Sequence, residues 1–182
     1  MNGQIPDFWR DISSNIAKKY SLPIVKKAAY FFPWNSNKEL FNMVNRRWRI
    51  LKILGGKPSS FGENTKPEDG YVDRIQIIQY HEGSGHVPPH QDPDHNQRLF
   101  MSAYLSKKGV DFQGGGFWAL NNSGEQEDLE PIINVGDIAV GSARIIHGVN
   151  TITGNRGDIR WFLGLYTNDS DCVNNRKTIE PV

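Results

Sequence analysis

The sequence predicts a mainly β protein in which two sheets roll face to face and helices pack against the outside. Three observations carry this reading. Apolar residues recur about every four positions up to residue 56 and every two beyond residue 71. The alternating runs are short, and segments rich in Gly, Asn, Asp and Pro separate them. Two helices followed by many short strands is the order of a double-sheet roll, not of an alternating α/β chain.

Taken in chain order, Phe8, Ile12, Ile16 and Tyr20 fall on one face of a short helix placed after Pro6 and Asp7. A second helix is predicted over 36–54. Ser36 and Glu39 have capping-box spacing, Leu40, Val44, Trp48 and Leu51 form a stripe, and Gly55 and Gly56 stop it. Its other face, with Arg46, Arg47, Arg49 and Lys52, is expected in solvent. Residues 57–70 read as a loop. Strands are expected over 72–80, 99–105, 116–120, 138–146 and 159–166, with turns over 81–89, 106–115, 121–126 and 150–158. On the last strand Arg160, Phe162, Gly164 and Tyr166 share one face, while Ile159, Trp161, Leu163 and Leu165 share the other. The polar tail from Asn168 onward is expected on the surface. One domain spans 1–182, with helical support in 1–56 and the rolled core at about 72–167.

Composition narrows the possible functions. At 182 residues and 37% hydrophobic the chain is long and apolar enough for one core, which excludes a disordered chain. Twenty-one basic against 20 acidic residues leave +1, so no polybasic tract speaks for a nucleic-acid backbone. No apolar run approaches the roughly 20 residues of a membrane span. Cys172 is the only cysteine, which removes disulfides and cysteine zinc sites. The start, MNGQIPDFWRD, lacks the basic-then-apolar pattern of a leader, so a cytoplasmic location is expected.

All five histidines lie in the strand-rich part, four of them between positions 81 and 95. In His90-Gln91-Asp92 the outer two residues point the same way on extended backbone, bringing an imidazole and a carboxylate together. His147 is the candidate third ligand, because every other histidine lies beside the first pair. Two nitrogens and one carboxylate would hold Fe(II) on one octahedral face and leave the opposite positions open. Arg160, on the mixed face of an otherwise apolar strand, needs an anionic partner such as a dicarboxylate.

Together, QYHEGSGHVPPHQDPD, LFMSAYLS, the glycines before Phe117, His147 and IRWFL resemble the non-haem Fe(II)/2-oxoglutarate-dependent dioxygenases built on the double-stranded β-helix, or jelly roll. The first two stretches are most similar to the prolyl-hydroxylase branch. The resemblance spans about 72–166 and implies Fe(II), 2-oxoglutarate as cosubstrate, and O2. It implies His90, Asp92 and His147 as metal ligands. It also implies Arg160 and Tyr104 on the distal carboxylate of 2-oxoglutarate, with Tyr80 lining the same pocket. The implied reaction hydroxylates an unactivated C–H bond of a small amino-acid-like molecule or a peptide, releasing succinate and CO2.

The arginine has two candidates. Arg156 has the separation from His147 typical of prolyl hydroxylases, while Arg160 before Trp161 resembles phytanoyl-type members; Arg156 sits in a turn-like TGNRGD, which favours Arg160. Two other functions are weighed. An oxidative demethylase of alkylated nucleic acid would carry a second arginine where Tyr166 stands. A metal-binding, cupin-like module without catalysis would want more converging histidines. Oligomeric state and substrate identity are not encoded in these patterns.

Overall fold

The computed structural model describes residues 8–34, 38–63 and 70–169. Among them, β1 (Phe8–Ile12), β2 (Lys26–Phe31), β3 (Tyr71–His81), β5 (Leu99–Tyr104), β8 (Ile138–Ser142) and β10 (Ile159–Asp169) form the larger sheet, in the order β1-β2-β3-β10-β5-β8. A smaller sheet takes β4 (Val87–His90), β9 (His147–Thr153), β6 (Gly114–Leu120) and β7 (Gln126–Asp128), in the order β4-β9-β6-β7. Every ladder is antiparallel. Helices α1 (Ser14–Lys19) and α2 (Lys38–Leu54) complete the set with a 3-10 turn at Glu130–Ile132. This is the mainly β jelly roll with helices that the alternation predicts.

The period of two sorts the side chains of the larger sheet onto two faces. Ile78, Tyr80 and Phe162 point toward the smaller sheet and pack with its Val149 and Ile152. Ile75, Met101, Leu163 and Leu165 point the other way and meet Phe41, Trp48 and Leu51 of α2. Trp161, on that second face, is only half-buried. Each fully buried side chain in these layers contributes about 1.5–3 kcal/mol of transfer free energy. The apolar stripe read from the sequence is thus the one that holds α2 on the sheet.

The end of α2 follows from its glycines. Gly56 sits at φ 76°, where an L side chain is disfavoured. Lys57 N–H bonds back to Lys52 O and Gly56 N–H to Ile53 O, both at 2.9 Å, closing the helix in a Schellman turn. The expected cap Ser36 lies outside the described residues.

The N-terminal part differs from its expectation. Residues 8–12 are strand, and the helix starts only at Ser14, behind the N-cap Ser13. A spacing of four satisfies a strand's period as well as a helix's, so Phe8 and Ile12 did not discriminate. With β2, this segment extends the larger sheet, so 1–56 is not purely helical support. Strand β4 lies in the region read as a turn. Its Pro88 and Pro89 cannot donate to a ladder, and it occupies a sheet edge with one neighbour. The expected strand 138–146 ends at Ser142, where Ile145 N–H turns back onto Ser142 O.

Lys52 is a further correction. It is buried, not solvated: Nζ lies 2.5 Å from Asp73 Oδ2 and 4.9 Å from the ring centre of Trp48. Its stem follows the apolar stripe and its head finds a carboxylate inside. Asp73 Oδ1 accepts from Thr167 Oγ1 at 2.7 Å. Gly62, at φ 82°, leaves the room, since a Cβ there would meet Oδ1 at 2.5 Å. Thr167→Val should therefore cost about 1.5–3 kcal/mol, the value of a hydrogen bond to a charged group. A lowered urea midpoint with unchanged slope would show it; an unchanged midpoint would refute it.

Candidate metal centre

The smaller sheet brings two histidines together by register alone. His90 at the end of β4 is the cross-strand partner of His147 at the start of β9, and their ring centres are 4.4 Å apart. Beyond β4 the chain stays anchored, with Asp92 N–H on Ala143 O at 2.9 Å. That carries the carboxylate back between the rings: Oδ1 lies 3.7 Å from His90 Nε2, and Oδ2 lies 3.8 Å from His147 Nε2. One ligand atom from each residue lies within 4.8 Å of the others.

The donor chemistry fits a divalent transition metal. His90 Nδ1 is 2.9 Å from Pro88 O and His147 Nδ1 is 2.9 Å from Ile145 O. A carbonyl only accepts, so both Nδ1 atoms carry a proton, which makes Nε2 the atom that either ring, when neutral, would offer a metal. Burial lowers the pKa of His147, favouring the neutral ring that a metal requires. Phe100 and Phe117 pack against that ring. Two neutral nitrogens and a carboxylate suit Fe(II) better than a calcium or magnesium cage of oxygens.

These ligands stand at one side of a cavity of about 260 Å³ between the sheets. Arg160, Tyr80 and Tyr104 line it as well. Arg160 is 2% exposed, with its guanidinium carbon 5.2–5.7 Å from the ring centres of Phe162, Tyr104 and Tyr80. Burial raises the pKa of both tyrosines, against the opposing charge of Arg160, so their hydroxyls remain protonated donors. Arg156 is exposed in the turn after β9 and does not line the cavity. Arg144 is also at the surface, paired with Asp94 at 2.5 Å. His86 and His95 bond elsewhere, to Ser84 O and to Asp169.

Glu130 was not singled out in the sequence. It is 1% exposed; Oε1 takes the Nε–H of Arg160 and, at 2.7 Å, the N–H of Phe117. Arg160 Nη1 is buried without a partner. The glycines before Phe117 explain how the acid fits. Strand β6 is bulged between Gly114 and Gly116, and a Cβ on Gly116 would meet Glu130 Cγ at 2.3 Å. The sequence signal was there as a triple glycine, but nothing in it named the acid that fills the gap.

Arg10 and Lys26 carry no signal in the sequence reading, and the Arg74 strand is expected there only to shape the site. They line the same cavity from β1, β2 and β3. Burial lowers the Lys26 ammonium to a pKa of about 8, with Arg10 and Arg74 adding to the effect.

No protein-family model matches the sequence, and no curated protein is similar to it. In fold the chain is similar to a Trichoplax adhaerens prolyl hydroxylase solved with a hypoxia-inducible-factor peptide fragment, at TM-score 0.56 and 14% identity over 97% of this chain and 76% of that one. It is likewise similar to a Pseudomonas putida prolyl-4-hydroxylase, at 0.55 and 16% over 78% and 68%. A Burkholderia pseudomallei oxidoreductase of the 2OG-Fe(II) oxygenase family matches at 0.50 and 17%, over 79% and 68%. The fold is therefore the jelly roll of the 2OG-Fe(II) oxygenases. No helix among the described residues is long and apolar enough to cross a membrane.

Proposed function

We propose that the protein is an Fe(II)- and 2-oxoglutarate-dependent dioxygenase that hydroxylates an unactivated C–H bond of a small amino-acid-like molecule or of a residue in a peptide. The observation that carries the reading is one small cavity lined by two complementary groups. A three-ligand N,N,O cluster and a buried guanidinium whose Nη1 has no partner among the described residues line the same cavity. When bound, iron with 2-oxoglutarate and O2 supplies the oxidising chemistry, with succinate and CO2 as co-products.

The chain's own residues bind, orient and exclude water. His90, Asp92 and His147 would hold the metal by one face, leaving the remaining positions toward the cavity. Arg160, its Nε already on Glu130, would turn Nη1 to the distal carboxylate of the cosubstrate. Tyr104 would donate the second hydrogen bond, and Tyr80 would wall the same end. Phe100, Phe117, Phe162 and Val149 make the walls apolar, which strengthens each of these polar contacts. Pockets for small molecules run to roughly 300–1,000 Å³, so this cavity suits a cosubstrate and one compact group. The fold likeness to prolyl hydroxylases supports a peptidyl or amino-acid-like group. A reducing cytoplasm would suit both Fe(II) and the single cysteine.

The test is an anaerobic titration of the metal-free protein with Fe(II), with and without 2-oxoglutarate. A weak visible charge-transfer band should form at one equivalent of iron, and only when both are present. On admitting O2, succinate should form from 2-oxoglutarate. Iron binding with no band at any 2-oxoglutarate concentration would discard the reading in favour of a metal-binding roll.

A further inference from the structure

The cavity carries more positive charge than its cosubstrate needs. Among the described residues, Arg10, Lys26, Arg74 and Arg160 line it, and Asp92 is the only carboxylate that does. Arg160 has Glu130 as its own partner, so its charge is answered locally. The other three have no such answer. Among the described residues no carboxylate lies within 4 Å of Arg10, Lys26 or Arg74; the nearby Asp11 is engaged by Lys27 at 3.3 Å.

Three strands place these cations together. Arg10 is registered against Ala28, Lys26 against Ile12, and Arg74 against Tyr166, all with side chains on the inward face of the larger sheet. They are half-buried, so water screens them only in part. Arg10 Nε is buried without a hydrogen-bond partner. Arg74 is held by neutral groups: Nη2 lies 3.4 Å from Asn168 Oδ1, the guanidinium lies 4.9 Å from the Tyr30 ring centre, and the amide of Gln76, turned over, accepts from it at 2.7 Å. Three like charges with no carboxylate within 4 Å among the described residues, and only the more distant Asp92 acting on Lys26, cost stability, and an incoming anion lowers that cost.

We propose that the substrate carries a carboxylate or phosphate group and that Arg10, Lys26 and Arg74 hold this group in the cavity. This rests on the dioxygenase reading, because it assigns Arg160 to the cosubstrate. The enclosure favours one terminal anionic group over a polymer backbone, which would need its cations along an exposed track. Among the described residues, the exposed Arg46, Arg47 and Arg49 lie together on α2, where Arg49 already pairs with Glu63, and they do not line the cavity.

Calorimetry on the anaerobic Fe(II)·2-oxoglutarate protein tests this, with methylphosphonate and propionate as probes. At least one probe should bind once per chain while the charge-transfer band stays in place. Lys26→Met and Arg74→Met should each weaken it by about ten-fold or more, with 2-oxoglutarate affinity changed less than about three-fold. Lys26→Gln, a smaller change, should repeat the loss if folding of the first variant is in doubt. The tighter probe tells a phosphorylated substrate from a carboxylic one. A band with no probe binding, a probe that bleaches the band by displacing the cosubstrate, or affinity kept in both variants would overturn the proposal. A single-stranded oligonucleotide binding more tightly than either probe would overturn it too. A band that never forms fails the dioxygenase reading first, and the proposal with it.

Discussion

His147→Ala should leave a folded protein that no longer holds iron. The imidazole is one of the three candidate ligands, and it lines the cavity from the first residue of β9. Losing even an outer-shell partner of a metal ligand costs roughly 10–100-fold in affinity. Losing the ligand itself should exceed that, and formation of succinate should fall with it. The ladder hydrogen bonds of β9 come from the backbone and survive the substitution. The structural losses are the ring's packing on His90, Phe100 and Phe117 and its Nδ1 hydrogen bond to Ile145 O. Iron binding measured by dialysis, beside a thermal melt, separates the two effects. Wild-type iron affinity in the variant would remove His147 from the centre.

Arg160→Met should damage the protein twice, and a second substitution should undo only one of the two effects. Removing the guanidinium leaves Glu130 buried with the Phe117 N–H as its only partner. An uncompensated buried charge costs about 3–5 kcal/mol. Replacing both members by apolar residues relieves that cost, so Glu130→Met/Arg160→Met should recover most of the stability. Cosubstrate affinity should stay lost in both, because Nη1 is gone from each. Urea unfolding and the charge-transfer titration on the same three proteins read the two quantities independently. If the double variant binds 2-oxoglutarate as tightly as wild type, Arg160 is a structural residue and the cosubstrate sits elsewhere.

How much of this could be read from the sequence depends on range. His90 and Asp92 are two residues apart, so local geometry alone suggests that they converge. His147 enters because it is the only histidine far from them. Strands β3, β5 and β10 alternate cleanly, since each has one face on α2 or the core and another on the cavity. The misses share a cause, which is that the deciding contact lies far along the chain. Lys52 looks solvated on a helical wheel, and only the arrival of Asp73 from β3 makes burial possible. Strand β2 begins with two lysines, one facing the cavity and one the surface, which blurs its pattern. Arg10, Lys26 and Arg74 sit in three unremarkable strands, and only the fold brings them to one cavity. Glu130 depends on a bulge in one strand and a 3-10 turn after the next.

The bulge at Gly116 has a consequence for how relatives of this chain would be recognised. That glycine has no side chain because Glu130 occupies the space, and Glu130 is buried because Arg160 is there to meet it. The three positions therefore form one physical unit. Lineages that keep the arginine should keep the acid and the glycine, and lineages that recruit another cation for the same task are free to lose all three together. A search keyed to this trio, alongside the two histidines and the aspartate, would separate chains sharing this pocket floor from chains sharing only the roll.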